Sequence, residues 1–464
     1  MLKFSIQGNK PMVRPDVVLH AFNWKYQEII DRLGEIKEAG YGAILIPPPL
    51  YSDVHSDHWW QCYQPKDYRV LLSHLGGKKE LEELIKQCHS SEPQIKLYAD
   101  IVINHMANED RGDRLDFPGE AELANYRHNR DLFEANKLYG DLNEGLFSGF
   151  DFNRTGNIQE HEWWDRERVI YGDLSDLPDL MDSPWVLLQQ RTMLAALVDM
   201  GFDGFRIDAI KHITTRMIDN FADSEALAGS YLFGEVLTTN DEEERIFLDP
   251  FLQETWISAY DFRLFQTIRK AFEMGGSLRK LARPENENNG LPWDRAVTFV
   301  VNHDLPHNDD FREFLLDPRD EHLAYAYILG KDGGLPLIYS DHNESVHRYH
   351  QDHDRWYDAF KREDIKRMIR FHNEVQGKEM TMLYESDLVL VFGRGDCGLV
   401  AINKGGEHTS VEFSTHCLKK SSVYKDLINN NEMTISGDWF TLSINPRTAQ
   451  MWLCQSDLAV NDGV

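Results

Sequence analysis

The stretch Gly204-Phe205-Arg206-Ile207-Asp208-Ala209-Ile210-Lys211-His212 decides the reading of this chain. Its first part has the short, β-favouring character of a strand, and it runs straight into charged residues. Side chains alternate between the faces of a strand, so Arg206 and Asp208 point to one side and Phe205 and Ile207 to the other. A helical pattern over 187–200 precedes it. A helix followed by a short strand that delivers a guanidinium and a carboxylate at its end is what a βα repeat with a site at its C-terminal rim requires.

The alternation extends outward in both directions. Strands are predicted at 17–22, 43–46, 96–103, 204–207, 231–234, 257–260, 296–301 and 335–339. Ile29, Ile30, Leu33 and Ile36 recur at helical spacing after the first, with Gly40 placed as a C-cap. Further helices are predicted at 80–88, 262–272 and 364–375, and Pro47, Pro48 and Pro49 stop the second strand. Eight such units predict an α/β fold, a (β/α)8 TIM barrel. Between His105 and residue 183 there is no βα unit, only a stretch rich in Asn, Asp, Gly and aromatics such as Tyr126, Phe147, Phe150, Phe152, Trp163 and Trp164. A structureless loop of that length is uncommon, so an inserted subdomain is expected after the third strand. Past residue 375, short β-rich runs at 388–393, 399–403, 410–413, 439–443 and 449–453 predict a C-terminal antiparallel β-sandwich. The expected division is a barrel from 1–105 and 184–377, an inserted domain from 106–183 and a sandwich from 378–464.

Each strand can be read to its C-terminal end, where a barrel places its chemistry. The third ends Asp100-Ile101-Val102-Ile103-Asn104-His105, the fifth Phe233-Gly234-Glu235, and the seventh Phe299-Val300-Val301-Asn302-His303-Asp304. With Asp208 on the fourth, three carboxylates converge from three strands. One acidic residue at a strand end is an ordinary loop start; three, interleaved with Arg206, His105 and His303, point to chemistry. Paired carboxylates suit glycosidic cleavage, one as nucleophile and one as acid/base. Arg206 would favour the ionised form of its neighbour Asp208.

Composition narrows the partners. Lys and Arg total 49 against 77 Asp and Glu, a net charge of −28. That opposes nucleic acid and anionic membrane surfaces, which need clustered basic residues, and leaves a neutral polymer open. No segment has the apolar length of a membrane helix. The first 15 residues are polar and broken by Gly8, Pro11 and Pro15, so no signal peptide is read. A cytoplasmic protein and a mature secreted form both fit. The five scattered cysteines, without a C-x-x-C motif, favour the cytoplasm slightly.

Taken in order, the four strand-end motifs resemble those of glycoside hydrolase family thirteen, the α-amylase family, and most closely animal-type α-amylases. The resemblance implies a retaining endo-hydrolase of α-1,4-glucosidic bonds in starch, glycogen or maltooligosaccharides, acting as a monomer on an α-glucan. An exo-acting maltooligosaccharide hydrolase or an α-glucan transferase would carry the same triad, and a non-catalytic glucan-binding protein could share the fold. The implied roles are Asp208 as nucleophile, Glu235 as general acid/base and Asp304 as the third carboxylate. His105 and His303 resemble sugar-binding histidines, and Arg206 the arginine that holds the nucleophile. Trp59-Trp60-Gln61-Cys62-Tyr63-Gln64 is similar to the family's stacking segment, implying Trp59, Trp60, Tyr63 and Gln64 as substrate contacts. Lys211 and His212 resemble the pair on the leaving-group side.

Resemblance also implies a structural calcium ion held by Asn104, Asp179 and the carbonyl of His212. Calcium takes oxygen ligands, and this set supplies them. Chloride is not expected: Arg206 and Asn302 match the family's chloride ligands, but no Arg follows the eighth strand before Arg348. His347, His350 and His353 are spaced like zinc ligands but lie among Arg348, Asp352, Asp354 and Arg355, which reads as a charged loop. Asn153-Arg154-Thr155 and Asn343-Glu344-Ser345 are glycosylation sequons by pattern alone.

Overall fold

A computed structural model describes residues 16–108, 115–342 and 355–455. Eight parallel strands close into a barrel: β1 (Val18–Phe22), β2 (Ala43–Ile46), β3 (Lys96–Ile101), β4 (Gly204–Ile207), β5 (Tyr231–Gly234), β6 (Ser258–Tyr260), β7 (Ala296–Phe299) and β8 (Leu335–Asp341). Closure comes from β1, where Val18 is opposite Leu337 on one side and Ala43 on the other. The strands are buried along their length save the first residue of β3, β5 and β8. Strands covered by helices outside and packed side chains inside need such continuous apolar runs.

Two strands end earlier than the sequence pattern suggests. β3 stops at Ile101 rather than residue 103, and β7 at Phe299 rather than 301. The apolar residues continue, but their backbone leaves the ladder; the Ile103 carbonyl accepts from Gln190 Nε2 at 2.9 Å instead. This early departure turns Asn104 and His105 toward the inserted segment, where His105 forms a backbone bridge with Asp179. That segment carries the short helices Glu120–His128, Arg130–Ala135 and Arg166–Tyr171. Tyr126, Phe133 and Leu142 from it pack with Tyr51 and Val70 as a separate small core.

The C-terminal part is antiparallel. β9 (Met380–Glu385), β10 (Val389–Arg394), β11 (Gly398–Asn403), β13 (Ser422–Asp426), β14 (Glu432–Ile435) and β16 (Thr448–Cys454) form one sheet in the order β9-β10-β11-β16-β13-β14. β12 (Thr409–Ser414) pairs with β15 (Trp439–Ile444). β9, β13 and β14 escaped the sequence reading; β9 is half-buried at every position, so its pattern lacks the alternation that marks a strand.

Basic side chains from this sheet cap barrel helices. A helix ends in carbonyls without intrahelical partners, and a cation there is favoured. Lys404 Nζ donates to the carbonyls of Ala271, Glu273 and Gly276 around the end of helix Phe262–Phe272. Arg394 donates to the carbonyls of Gly330 and Lys331 at the end of helix Pro318–Gly330, and to Val375 after helix Glu363–Glu374. Among the described residues, no helix is long and apolar enough to cross a membrane. Replacing Lys404 by Met should strand those carbonyls and cost about 2–3 kcal/mol of stability, read as a lower midpoint in urea unfolding. An unchanged midpoint would refute the capping role.

Candidate active site

Strand register sets the centre of the site. Asp100 on β3 is the lateral partner of Arg206 on β4, so their side chains share a face. Arg206 Nη1 donates to Asp100 Oδ2 at 2.6 Å and to Asp208 Oδ1 at 2.7 Å, and Nη2 lies 2.8 Å from Glu235 Oε1. Tyr63 OH donates to Asp100 Oδ2 at 3.0 Å. The Arg206 side chain is 1% exposed. The next residue after Asp208, Ala209, has a left-handed backbone (φ 48°), uncommon for a non-glycine residue. That kink aims its N–H at Glu235 Oε2, 3.1 Å away. Gly234 precedes Glu235 for a steric reason: a Cβ there would lie 2.5 Å from Ile210 Cγ2. Asp304 accepts from Asn302 Nδ2 at 3.2 Å, and His303 Nε2 is 3.4 Å from its other oxygen.

Four carboxylates thus crowd one guanidinium, and like charges in a dry site cannot all ionise freely. Asp208 is raised to about 8, by burial above all and by Glu235 and Asp100, against the pull of Arg206. Burial likewise raises Asp100 to about 6 against the pull of Arg206. Asp304 is held well above the carboxylate range by burial and by Glu235. The imidazoles move the other way. Burial lowers His105 to about 4 and His20 to about 3, and burial with Arg206 takes His303 well below its usual value. At neutral pH these rings are neutral, so among the described residues the site's positive charge rests on Arg206 and Lys211.

Above this floor lies a cleft of about 540 Å³. Its walls include Trp59, Trp60, Tyr63, Gln64, His105, Lys211, His212 and His303 together with Asp208, Glu235 and Asp304. The structure therefore brings together the residues singled out in the sequence, with Arg206 beneath them. Tyr63 stacks on His303 with centroids 5.2 Å apart, and Trp59 meets both edge-on. Trp60, 41% exposed, stands at the lip. His105 Nε2 lies 3.0 Å from the Tyr63 carbonyl, tying the third strand's end to the aromatic turn. Lys211 Nζ donates to the Leu237 carbonyl at 2.9 Å, between the rings of Trp163 and Phe247 at 5.8 and 5.5 Å.

Several wall residues have no sequence signal of their own. Trp163 arrives from the inserted segment, Glu243 and Phe247 from the helical turns after β5, and Phe311 from the loop after β7. Asp100 is legible only through its register with Arg206. Cys62 has a base beside it in space, though not in sequence: its Sγ is 3.7 Å from His74 Nδ1. Burial pushes that thiol up to about 12, so it is no nucleophile.

The expected calcium ligands also converge. One terminus of the Asn104 amide lies 3.1 Å from both the His212 carbonyl and Asp179 Oδ1. With nitrogen there, the amide donates to both; with oxygen there, three oxygens face one point and need a cation to reconcile them. Asp179 is buried, accepts from Asn153 Nδ2 at 2.7 Å, and has no Lys or Arg ion pair among the described residues. The Asn153 amide, part of a sequon, is thereby committed inward. His347, His350, His353, Arg348 and the sequon at Asn343 lie outside the described residues.

This geometry agrees with what the chain resembles. Residues 25–254 match the α-amylase catalytic domain and residues 384–455 the α-amylase C-terminal all-β domain. The α-amylase of Aeromonas hydrophila is 45% identical over 453 residues, covering 94% of this chain and 95% of that protein. The chain belongs to the α-amylase family. It is a glycoside hydrolase of the α-amylase type. The α-amylase of Thermomonospora curvata is 26% identical over 471 residues, covering 94% of this chain and 72% of that protein. A mutant of α-amylase I from Eisenia fetida, solved with maltohexaose, shares the fold with a TM-score of 0.75 at 20% identity, covering 94% of this chain and 97% of that one.

The raised Asp208 carries a pH prediction. A group that must be ionised to act is lost as pH falls through its pKa. The acidic limb of kcat/KM should therefore lie above the value of about 3.9 for free Asp. A limb at or below that value would show that Arg206 overrides burial. Gly234→Ala should push Ile210 aside, cost about 1–3 kcal/mol through overpacking and displace Glu235. Unchanged stability and kcat would refute the steric role.

Proposed function

We propose that the chain hydrolyses internal α-1,4-glucosidic bonds of starch, glycogen or maltooligosaccharides with retention of configuration. The observation that carries this reading is the Arg206 bridge, which holds Asp208 and Glu235 side by side at the floor of an aromatic-walled cleft. Closely spaced carboxylates suit a covalent route; an inverting enzyme spaces them wider to admit a water between. Asp208 attacks the anomeric carbon while Glu235 gives its proton to the departing glycosidic oxygen. Glu235 then takes a proton from the incoming water, which releases the glucosyl ester. Asp304 accepts hydrogen bonds from sugar hydroxyls and favours the flattened ring of the transition state. Neutral His303 can donate to the sugar without adding charge, while His105 spends its one N–H on the Tyr63 carbonyl and so positions the aromatic turn beside the sugar. Trp59, Trp60 and Tyr63 offer faces for glucose rings, with Gln64 beside them, and Lys211 and His212 hold the leaving-group side. Trp60 at the lip supports a chain that continues beyond the cleft, as internal cleavage requires.

Calcium belongs to the same reading. Asn104, Asp179 and the His212 carbonyl would hold it, joining the inserted segment to the barrel beside the cleft. Its contribution would be positive charge and rigidity at that seam, outside the bond-breaking steps.

Proton NMR of products from starch and from an end-blocked maltooligosaccharide tests the reaction. α-Anomeric oligosaccharides with cleavage of the blocked substrate are expected. β-Anomers would overturn retention, and sparing of the blocked substrate would make the enzyme exo-acting. Products longer than the substrate would identify a transferase. Asp208→Asn should lower kcat by about 10⁴-fold or more while leaving oligosaccharide binding in place. Chelation should lower the unfolding temperature, with restoration by added calcium; a temperature indifferent to both would remove the ion from the account.

A further inference from the structure

We propose that Lys378 and Cys397 form a peroxide-driven, thiol-reversible covalent link at the junction between the barrel and the C-terminal sheet. Lys378 lies in the turn between helix Glu363–Glu374 and β9, and Cys397 in the turn between β10 and β11. Lys378 Nζ is 2.5 Å from Cys397 Sγ, with no atom between them. Three features hold the pair in place. Gly395 is left-handed (φ 52°), and a Cβ there would meet Lys378 Cβ and Cδ at 3.1 Å, so glycine lets the lysine chain lie across the hairpin turn. Arg394 Nε donates to the Lys378 carbonyl at 3.0 Å, fixing the lysine backbone to the same turn. Cys397 is 1% exposed, while Lys378 is half-buried. Neither residue lines the catalytic cleft.

An ammonium against a thiol favours the thiolate, which is the form that peroxide oxidises. The thiolate sulfur attacks one peroxide oxygen and expels hydroxide, giving a sulfenic acid, and the hydroxide takes a proton from the lysine ammonium. The neutral amine then attacks the sulfur, forming an S–N bond and releasing the sulfenic oxygen as water. Overall, one thiol, one amine and one hydrogen peroxide give one sulfenamide and two waters; sulfur is oxidised and peroxide reduced. Sulfenic acids condense with nitrogen in this way and are recovered by thiols. The rival partner is Cys454, whose backbone N–H donates to the Cys397 carbonyl at 2.9 Å across the β11–β16 ladder.

The test treats the full chain with hydrogen peroxide, then maps peptides by mass spectrometry without reductant. The expected product is a crosslinked peptide pair holding Lys378 and Cys397, two hydrogens lighter than the separate peptides and split by dithiothreitol. It should be absent from Cys397→Ser and from Lys378→Arg, and retained in Cys454→Ala. Peroxide should also raise the unfolding temperature of the unsubstituted chain but not of Lys378→Arg, which keeps the charge. Cys397 recovered as sulfinic or sulfonic acid, joined to Cys454, or untouched with Lys378 free would each overturn the proposal.

Discussion

A single buried guanidinium organises this molecule. Arg206 reaches Asp100 on the neighbouring strand, Asp208 at the end of its own and Glu235 at the end of the next. An unpaired cation at that depth would be costly, and so would carboxylates without it. The charges therefore hold one another in place, and the barrel's register is what lets them meet. The excess of negative charge has a consequence for chemistry. Arg206 neutralises one carboxylate's worth of charge, and burial holds Asp100, Asp208 and Asp304 above the usual carboxylate range.

Much of this was legible in the chain itself, and the reason is geometric. A parallel strand buried on both faces is mostly apolar, so a charged residue at its end stands out; Asp208 and Glu235 directly follow such strands, and Asp304 follows the apolar run that outlasts β7. The boundaries of β2, β4 and β5 coincide with their apolar runs. β3 and β7 are shorter than theirs because Val102, Ile103, Val300 and Val301 stay buried after leaving the ladder. Periodicity reports burial, and burial outlasts hydrogen-bonded pairing at these two strands. Contacts between distant segments left little trace. Glu243 and Phe247 reach the cleft from a helical segment after β5 and Phe311 from the loop after β7, all of unremarkable composition, and Asp100 reads as an interior strand residue until its lateral partner is known.

The inserted segment shows how a long excursion is kept in register with the site. It leaves the barrel at Asn104 and returns beside it: Leu180 N–H donates to the Asn104 carbonyl at 2.8 Å, and Met106 N–H to the Pro178 carbonyl at 3.2 Å. The seam that binds Asn104, Asp179 and His212 is therefore also the seam that brings Trp163 over Lys211. Cleft shape on the leaving-group side depends on how well that seam is closed. At the far end of the barrel, Lys404 and Arg394 do the corresponding work, fastening the antiparallel sheet by filling helix ends rather than by a separate apolar interface alone.

Arg206 is proposed to hold Asp208 as the nucleophile with Glu235 beside it as the acid. A mechanism-based fluorinated α-glucosyl fluoride, which forms the glycosyl ester faster than it is hydrolysed, tests this directly when the labelled chain is digested and sequenced by mass spectrometry. One sugar per chain is expected on the peptide containing Asp208, at that residue. A label on Glu235 or Asp304, or turnover of the reagent with no covalent adduct and an inverted product, would contradict it.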